Sequence, residues 1–375
     1  MIATTRPEMS VNEPTLYVAF ELGKKDWKLA MTSGVGVAPW LRSVASGDWR
    51  GVEQALAQGR ARLGLPALAP VVSCYEAGRD GFWIHRALEA RGIRNRVVDS
   101  ASIEVNRRAR RAKTDRLDAL KLVQMLVRVG YGEKKVWSEV HVPSVAAEAA
   151  RQVSRERTAL TQEQTRLINQ MRGWLATWGA VLPRRRTTAW WTTVRDWAAA
   201  PLPVEVQARL ARAEARLAVH EAQIAELDGQ QHAAVTTAAP ASALRRLVQL
   251  KGVATTGASV LLDEGLVWRA FQNRRQIGGL LGFAPTPYNS GESTREQGIS
   301  RAGNKRLQRI SIQLAWNWVR WQPLSALTRW YHEHFGTGKR ARRIGIVAVA
   351  RRLVIALWRY VTTGAVPAGA TLKVA

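Results

Sequence analysis

The pattern of apolar and polar positions changes character twice along the chain. Over residues 15–32, TLYVAFELGKKDWKLAMT, an apolar run ends at Glu21 and a turn holding Gly23 follows. Trp27, Leu29 and Met31 then alternate with other residues, which predicts two short strands. Residues 70–76, PVVSCYE, read as another buried strand that ends on an acid, and residues 94–98 as one more. Residues 80–91 carry Phe82, Trp83 and Leu88 ahead of a Gly92 stop and predict an amphipathic helix; residues 114–129 predict a longer one. Strands alternating with helices indicate an α/β domain with a mainly parallel sheet, over residues 1–135. From about residue 143 to 236 the strand signal vanishes. Residues 146–178 and 203–232 are dense in Ala, Glu, Gln, Arg and Leu, with PRRRTTAWWTTVRDWAAAPLP between them. Two long helices that return on each other predict an antiparallel coiled-coil arm over residues 136–238; an ordinary helical bundle is the alternative. Residues 239–375 predict a compact, mainly α-helical domain. It begins with helix, Gly-containing turn and helix over 247–264, continues through a polar loop or hairpin at 284–304, and ends with helices at 305–321 and 342–360.

Charge narrows the reading. The 375 residues carry 56 Lys and Arg against 29 Asp and Glu, a formal net charge of +27. An excess that large gains only self-repulsion in an isolated globule and calls for a polyanionic partner. Of nucleic acid and anionic membrane, the sequence favours nucleic acid: there is no apolar run of about 18 residues, and residues 344–361 are cut by Arg351 and Arg352. MIATTRPEMS lacks the apolar core of a signal peptide. The single cysteine, Cys74, excludes an internal disulfide and a multi-Cys metal site. These features predict a cytoplasmic protein. The 16 tryptophans divide between core packing and stacking on unpaired bases.

The candidate chemistry is acidic. Asp115 and Asp118 lie three apart on a predicted helix, hence on one face, and follow Arg107, Arg108, Arg110, Arg111 and Lys113 in RRARRAKTDRLDAL. Two carboxylates on one face repel unless a cation lies between them. A basic run feeding such a pair suits a site holding a phosphate backbone beside a divalent metal. Glu21 and Glu76 each end a strand, where sites assemble in an open α/β sheet. Four acids from two strand ends and one helix suit one or two Mg²⁺ ions. The plainer alternative makes Asp115 a first-turn acid favoured by the helix dipole, Asp118 an arginine partner and the two glutamates surface residues.

These residues carry a resemblance. YEAGRDG at 75–81 and VVDSASIEVNRRARRAKTDRLDALKL at 97–122 resemble the DEDD transposases of bacterial insertion sequences, relatives of the Piv invertase. LKGVATTGASVLLDEGLVWRAFQNRRQIGGLLGFAPTPYNSGESTREQGISRAGNKRLQR at 250–309 is similar to the second domain of that family. The resemblance implies a RuvC-like, ribonuclease-H-like fold for the first domain and an Mg²⁺ site of four acids. Glu76, Asp115 and Asp118 match the motif. The first position departs from it, with Glu21 where the family has Asp; Asp26, in the turn, is the lesser substitute. The resemblance also implies a serine nucleophile at Ser290 in YNSGES, with Ser293, Thr294 and Ser300 as weaker candidates. Gly291 lets backbone approach a phosphate, and Arg295, Arg301, Lys305 and Arg306 offer charge for a phosphorane-like state. It further implies a structured guide RNA encoded by the element, which pairs with the DNA. Two DNA ends to be paired imply a homodimer or tetramer.

Smaller signals remain. LKGVATTGA at 250–258 resembles a helix-hairpin-helix turn, with Lys251 beside it and Ala254 in place of the second glycine. His332 and His334 are two apart, so a helix separates them and they read as solvated or capping residues rather than a metal pair. KRARR at 339–343 reads as a phosphate-contacting run or a solvated face. Three functions compete: a transposase, a RuvC-like junction resolvase or nuclease working with water alone, and a catalytically decayed nucleic-acid-binding protein.

Overall fold

The computed structural model describes residues 13–103, 115–269, 271–290, 293–300, 302–335 and 338–373. The chain divides into two compact units, Met1–Val142 and Pro143–Ala375.

The first unit is built on a five-stranded sheet. Its strands are β1 (Leu16–Leu22), β2 (Asp26–Thr32), β3 (Trp40–Ala45), β4 (Val71–Glu76) and β5 (Arg94–Val98), with helices α1 (Trp49–Arg62), α2 (Trp83–Glu89) and α3 (Asp115–Gly130). The strand order is β3-β2-β1-β4-β5. The expectation of a mainly parallel sheet is corrected here: β1 pairs antiparallel with β2, and β2 with β3, while β4 runs parallel to both β1 and β5. The tight turn at Gly23 permits only an antiparallel return. β3 was not predicted, because its WLRSVA sequence exposes Arg42 and Ser43 on an edge and shows no clean period.

The two-residue period of the strands sorts this unit into two cores. Leu16, Val18 and Phe20 of β1 pack with Val52, Leu56, Ile84 and Leu88 of α1 and α2. Tyr17 and Ala19 pack on the opposite face with Leu122, Val123 and Leu126 of α3. Trp27, 1 % exposed, meets Trp49 and Trp83 with ring centroids 5.4 and 5.9 Å away. Burying an aromatic of this size removes on the order of 200 Å² from water, worth about 5 kcal/mol of transfer free energy. On the α2 side a buried polar chain is satisfied internally: the Ser73 hydroxyl donates to Asn95 Oδ1 at 2.8 Å, and the Asn95 amide group meets His85 Nδ1 at 2.9 Å.

The second unit opens with two long helices, α4 (Val145–Ala176) and α5 (Val204–Thr237). Ser144 caps α4 by accepting from Ala147 N at 3.1 Å. The pairing runs antiparallel: Arg157 Nε bonds Asp228 and Glu163 faces His220, while Leu167, Met171 and Leu175 pack against Leu210, Ala213 and Leu217. Eight further elements follow: α6 (Ala243–Gln249), α7 (Thr255–Leu261), α8 (Arg274–Leu280), β6 (Pro285–Ser290), β7 (Ser293–Ile299), α9 (Lys305–Trp321), α10 (Ala326–His334) and α11 (Lys339–Thr363). The predicted hairpin at 284–304 is the β6–β7 pair. The second helix of the 247–264 reading ends differently from its prediction: α7 widens into a single π turn, Leu262–Leu266. α11 lies centrally, burying Ile346, Val349, Ala350, Leu353, Val354 and Leu357. α9 buries Leu307, Ser311, Leu314, Ala315 and Trp318 on one stripe. Gly303 sets the start of α9: a Cβ there would lie 2.3 Å from Gly282 N, so only glycine allows the close approach in which Asn304 N donates to Leu280 O at 2.9 Å.

Candidate active site

In the first unit the acids fall on one face of the sheet, at one end. Tyr17 and Ala19 face α3, so strand alternation carries Glu21 to that side; Val72 and Cys74 do the same for Glu76. Phe20 is level with Tyr75 in the parallel β1–β4 register, so Glu21 and Glu76 stand at adjacent strand ends. α3 lays Ala119 and Leu122 on this face. Asp115 and Asp118 precede them by one turn each and continue the same stripe beyond the sheet edge. Glu21 and Asp118 are half-buried, Glu76 and Asp115 exposed.

Lys28, not singled out from the sequence, joins two of these acids. It is opposite Glu21 in the β1–β2 ladder, and its Nζ lies 3.6 Å from Asp115 Oδ2. Cross-strand partners in an antiparallel pair share a face, so an ammonium stands beside two of the four carboxylates. A cleft of about 430 Å³ opens at the strand ends, lined by Glu21, Lys24, Glu76, Arg79 and Asp80 among others. The donor set is all carboxylate oxygen, which suits a hard divalent cation. Among the described residues, however, no group of three or more His, Cys, Asp or Glu is gathered closely enough to hold a metal. Arg107, Arg108, Arg110, Arg111 and Lys113 lie outside the described residues. Cys74 is buried, and burial pushes its thiol well above the usual range, which marks it as a core residue.

In the second unit Ser290 closes β6 in register with Ser293, and Arg295 of β7 is level with Tyr288. Gly291 and Arg301 lie outside the described residues. Lys305 is exposed at the start of α9, but Arg306 is turned toward Glu264, with Nε 3.9 Å from Oε1. Lys251 is exposed in the α6–α7 turn. Two amides of that turn are already used: Lys251 N donates to Thr371 O at 3.1 Å and Val253 N to Leu250 O at 3.1 Å. Any phosphate contact at this turn therefore falls to the Lys251 side chain and the remaining amides. His334 Nδ1 bonds Trp330 O of its own helix at 3.0 Å, so it caps α10.

Sequence reasoning also passed over Asp263 and Glu264 in the π turn. Glu264 is 1 % exposed. Arg155 of α4 grips it with two hydrogen bonds, Nε to Oε1 at 2.8 Å and Nη2 to Oε2 at 3.0 Å; Asn304 Nδ2 adds a third at 3.4 Å. Burial raises the Glu264 pKa, but the Arg155 bonds and charge, with Asn304 and Arg306, outweigh it and leave the group below the usual carboxylate value. Asp263 is pushed up to about 6, first by burial and then by the neighbouring Glu264 charge. The only sequence signal was a DE pair inside an apolar helix, and its main partner lies more than 100 residues away.

Comparison with known proteins gives the family. Residues 244–329 match the transposase family IS116/IS110/IS902. The chain is 37 % identical to y4rJ of Sinorhizobium fredii, a protein named as a transposase, over 100 % of this chain and 99 % of that one. It is 27 % identical to y4qE of the same organism, covering 77 % of this chain and 74 % of that one. It is also 27 % identical to the transposase for insertion sequence element IS1328 of Yersinia enterocolitica, covering 43 % and 47 %. The chain belongs to the IS116/IS110/IS902 family of transposases and is a DNA transposase/recombinase enzyme.

Proposed function

We propose that this transposase cuts and rejoins the DNA of an insertion sequence with two sets of residues: the carboxylates Glu21, Glu76, Asp115 and Asp118 as an Mg²⁺ site, and Ser290 as nucleophile. The observation that carries the reading is that the four acids share one face at one end of the sheet, and in the sequence the basic run immediately precedes α3. The strand order with an antiparallel β1-β2-β3 half supports a RuvC-like, DEDD assignment for residues 1–135 and a relation to the Piv invertase. The antiparallel α4–α5 pair supports a coiled-coil arm within 136–238. The remaining residues, 239–375, form the serine-bearing transposase domain. Bound Mg²⁺ supplies Lewis-acid stabilisation of the charge that develops on the phosphate.

The chain's own residues do the rest. Glu76, Asp115 and Asp118 would hold the cation once drawn together around it, with Glu21 completing the set one methylene further from its strand than an Asp would be. Lys28 keeps the carboxylates from repelling one another when no cation is bound. Ser290 Oγ forms a bond to phosphorus as the bond from phosphorus to the leaving strand oxygen breaks; the serine proton departs, and the leaving oxygen ends as a hydroxyl. A strand hydroxyl then attacks the same phosphorus, restoring the serine and joining the DNA. Arg295, Arg301 and Lys305 answer the charge of that step. The +27 charge supports a guide RNA as a second nucleic-acid partner beside DNA, and the pairing of two DNA ends supports a dimer or tetramer.

The experiment incubates the full chain with element-derived RNA, Mg²⁺ and DNA carrying the element ends, and resolves protein–DNA adducts on a denaturing gel. Adducts form with the unaltered chain and vanish in Ser290→Ala and in Asp118→Asn. Adducts that persist in Ser290→Ala remove the serine role. Cutting without adducts, in the unaltered chain and in Ser290→Ala alike, selects a water nucleophile and the resolvase-like reading.

A further inference from the structure

The last three helices carry a feature that the carboxylates and Ser290 do not use. Over residues 297–375 the sequence holds one acid, Glu333, against fourteen Lys and Arg. Tryptophans are interleaved with this charge. Arg342 lies 6.0 Å from the Trp316 ring centroid, Arg320 lies 5.2 Å from that of Trp321, and Arg352 lies over Trp330 at 3.6 Å. The tightest of these pairs lines a cavity of about 440 Å³ between α10, α11 and the segment after α11.

The cavity is apolar inside and cationic at its rim. Leu327, Leu353 and Pro367 are among its walls, and Arg352 and Arg359, about two turns apart on the same face of α11, are its charged lining. Both arginines are exposed, and among the described residues neither has an acidic partner. One wall exists because of a single glycine. Gly364, at φ +80, ends α11 in the left-handed conformation and turns the chain back. Ala365–Ala368 then lies along α10, with Ala326 N donating to Ala368 O at 3.0 Å. The serine at this site is spoken for: Ser325 Oγ accepts from Trp318 Nε1 at 2.9 Å and caps α10 through Thr328 N at 3.1 Å. The recognition left to the cavity is therefore stacking, apolar contact and anion binding.

That combination fits one ligand class. An exposed arginine whose guanidinium carbon lies 3.6 Å from an indole centroid can offer its outer side as a stacking platform for a base. A second arginine about two helical turns along the same rim matches the phosphate that a nucleotide brings with it. A volume of this size is within the range of pockets that enclose a small ligand; a duplex, whose bases are already stacked, cannot enter it. We propose that this cavity binds a single unpaired nucleotide of a nucleic-acid strand, the base stacked on the Arg352–Trp330 pair and its phosphate held by Arg359. The site is separate from the cutting chemistry and rests only on the chain acting on nucleic acid.

The test measures binding by fluorescence anisotropy with the full chain, in EDTA so that no strand is cut. The probes are a 20-nucleotide single-stranded RNA, the same sequence as single-stranded DNA, and a DNA duplex. Arg352→Gln/Arg359→Gln is compared with Arg340→Gln/Arg343→Gln, an equal loss of charge at the start of α11. The cavity variant weakens at least one single-stranded probe by about tenfold or more beyond the control variant and leaves the duplex at the control's value. Which single strand is affected tells RNA from DNA as the source of the nucleotide. Loss equal to that of the control variant, or equal loss on duplex and single strand, overturns the proposal in favour of a general electrostatic face. A second readout uses the single-stranded probes with a photoreactive thio-base: crosslinks fall within residues 326–334 or 351–363, and crosslinks confined elsewhere overturn the assignment. Asp118→Asn, which removes cutting under the proposed function, leaves this binding unchanged, so the two readings fail separately.

Discussion

Two acidic pairs in this chain begin alike and end differently. Asp115–Asp118 and Asp263–Glu264 both sit on helices beside arginine-rich sequence. In the second unit the protein answers Glu264 completely: Arg155 takes both oxygens, Asn304 and Arg306 close the rest, and 1 % of the residue is exposed. In the first unit Asp115 has one ammonium at 3.6 Å, and Asp115 and Glu76 remain open to solvent. A buried acid gripped by arginine is scaffold, because its charge is spent on the fold. Acids aligned on one face and left open keep their charge for something that arrives. A buried acid gripped by arginine and an exposed acid beside one lysine should therefore respond differently when their charge is removed.

The largest expected effect breaks the functional side. Asp118→Asn lowers strand cutting by more than about 100-fold while thermal unfolding shifts by no more than about 2 °C, read by the end-DNA assay and by calorimetry. A stability loss of several degrees would move Asp118 to the scaffold class. The scaffold side breaks next. Glu264→Gln lowers unfolding free energy by about 2–3 kcal/mol in urea melts, because Arg155 keeps its charge and loses its partner. Arg155→Met added to it recovers part of that loss. An unchanged midpoint in Glu264→Gln would show that the Arg155–Glu264 pair does not hold the fold together.

The pH dependence sharpens the same contrast. Asp263 has a folded pKa of about 6 against an ordinary 3.8, so the folded state holds its proton more tightly than the unfolded chain. Its charge therefore costs stability above about pH 6, and the cost fades as pH falls toward 4. Asp263→Asn raises the melting temperature at pH 8, and the gain shrinks toward pH 4; a gain independent of pH would assign the effect to packing. The smallest effect belongs to Lys28. The pair with Asp115 is partly exposed, so Lys28→Met changes stability by about 0–1 kcal/mol. Its informative readout is the Mg²⁺-induced rise in melting temperature, which becomes larger in Lys28→Met if the ammonium competes with the cation, and unchanged if it does not.

The legible parts of the fold were those written in short periods. The hydrophobic run to Glu21, the strand ending on Glu76 and the i, i+3 spacing of Asp115 and Asp118 each need only neighbouring residues, and the two strands and the helix form where those patterns put them. β3 was illegible because an edge strand with Arg42 and Ser43 exposed has no alternation to read. The sheet's mixed direction depends on how β2 returns after Gly23, which the strand patterns alone did not reveal. Lys28 meets Asp115 from another element and Glu21 across the β1–β2 pair, and no local pattern shows either. Glu264 was hidden in the same way: its meaning lies in Arg155, on another helix, and no local pattern links them. The Arg352–Trp330 stack is likewise a contact between helices, invisible until α10 and α11 are packed together.

The α4–α5 pair carries a constraint on how chains of this kind change in length. Arg157 meets Asp228 and Glu163 faces His220, so each step forward along one helix is matched by a step back along the other. Inserting or deleting residues in one helix alone slides every rung past its partner and turns Leu167, Met171 and Leu175 off the shared seam, at 100° per residue. Only matched changes, made in both helices on either side of the same rung, preserve the ladder. The helix pair is thus a ruler whose two edges must be cut together, and relatives with a longer or shorter pair should show paired gaps whose sizes agree.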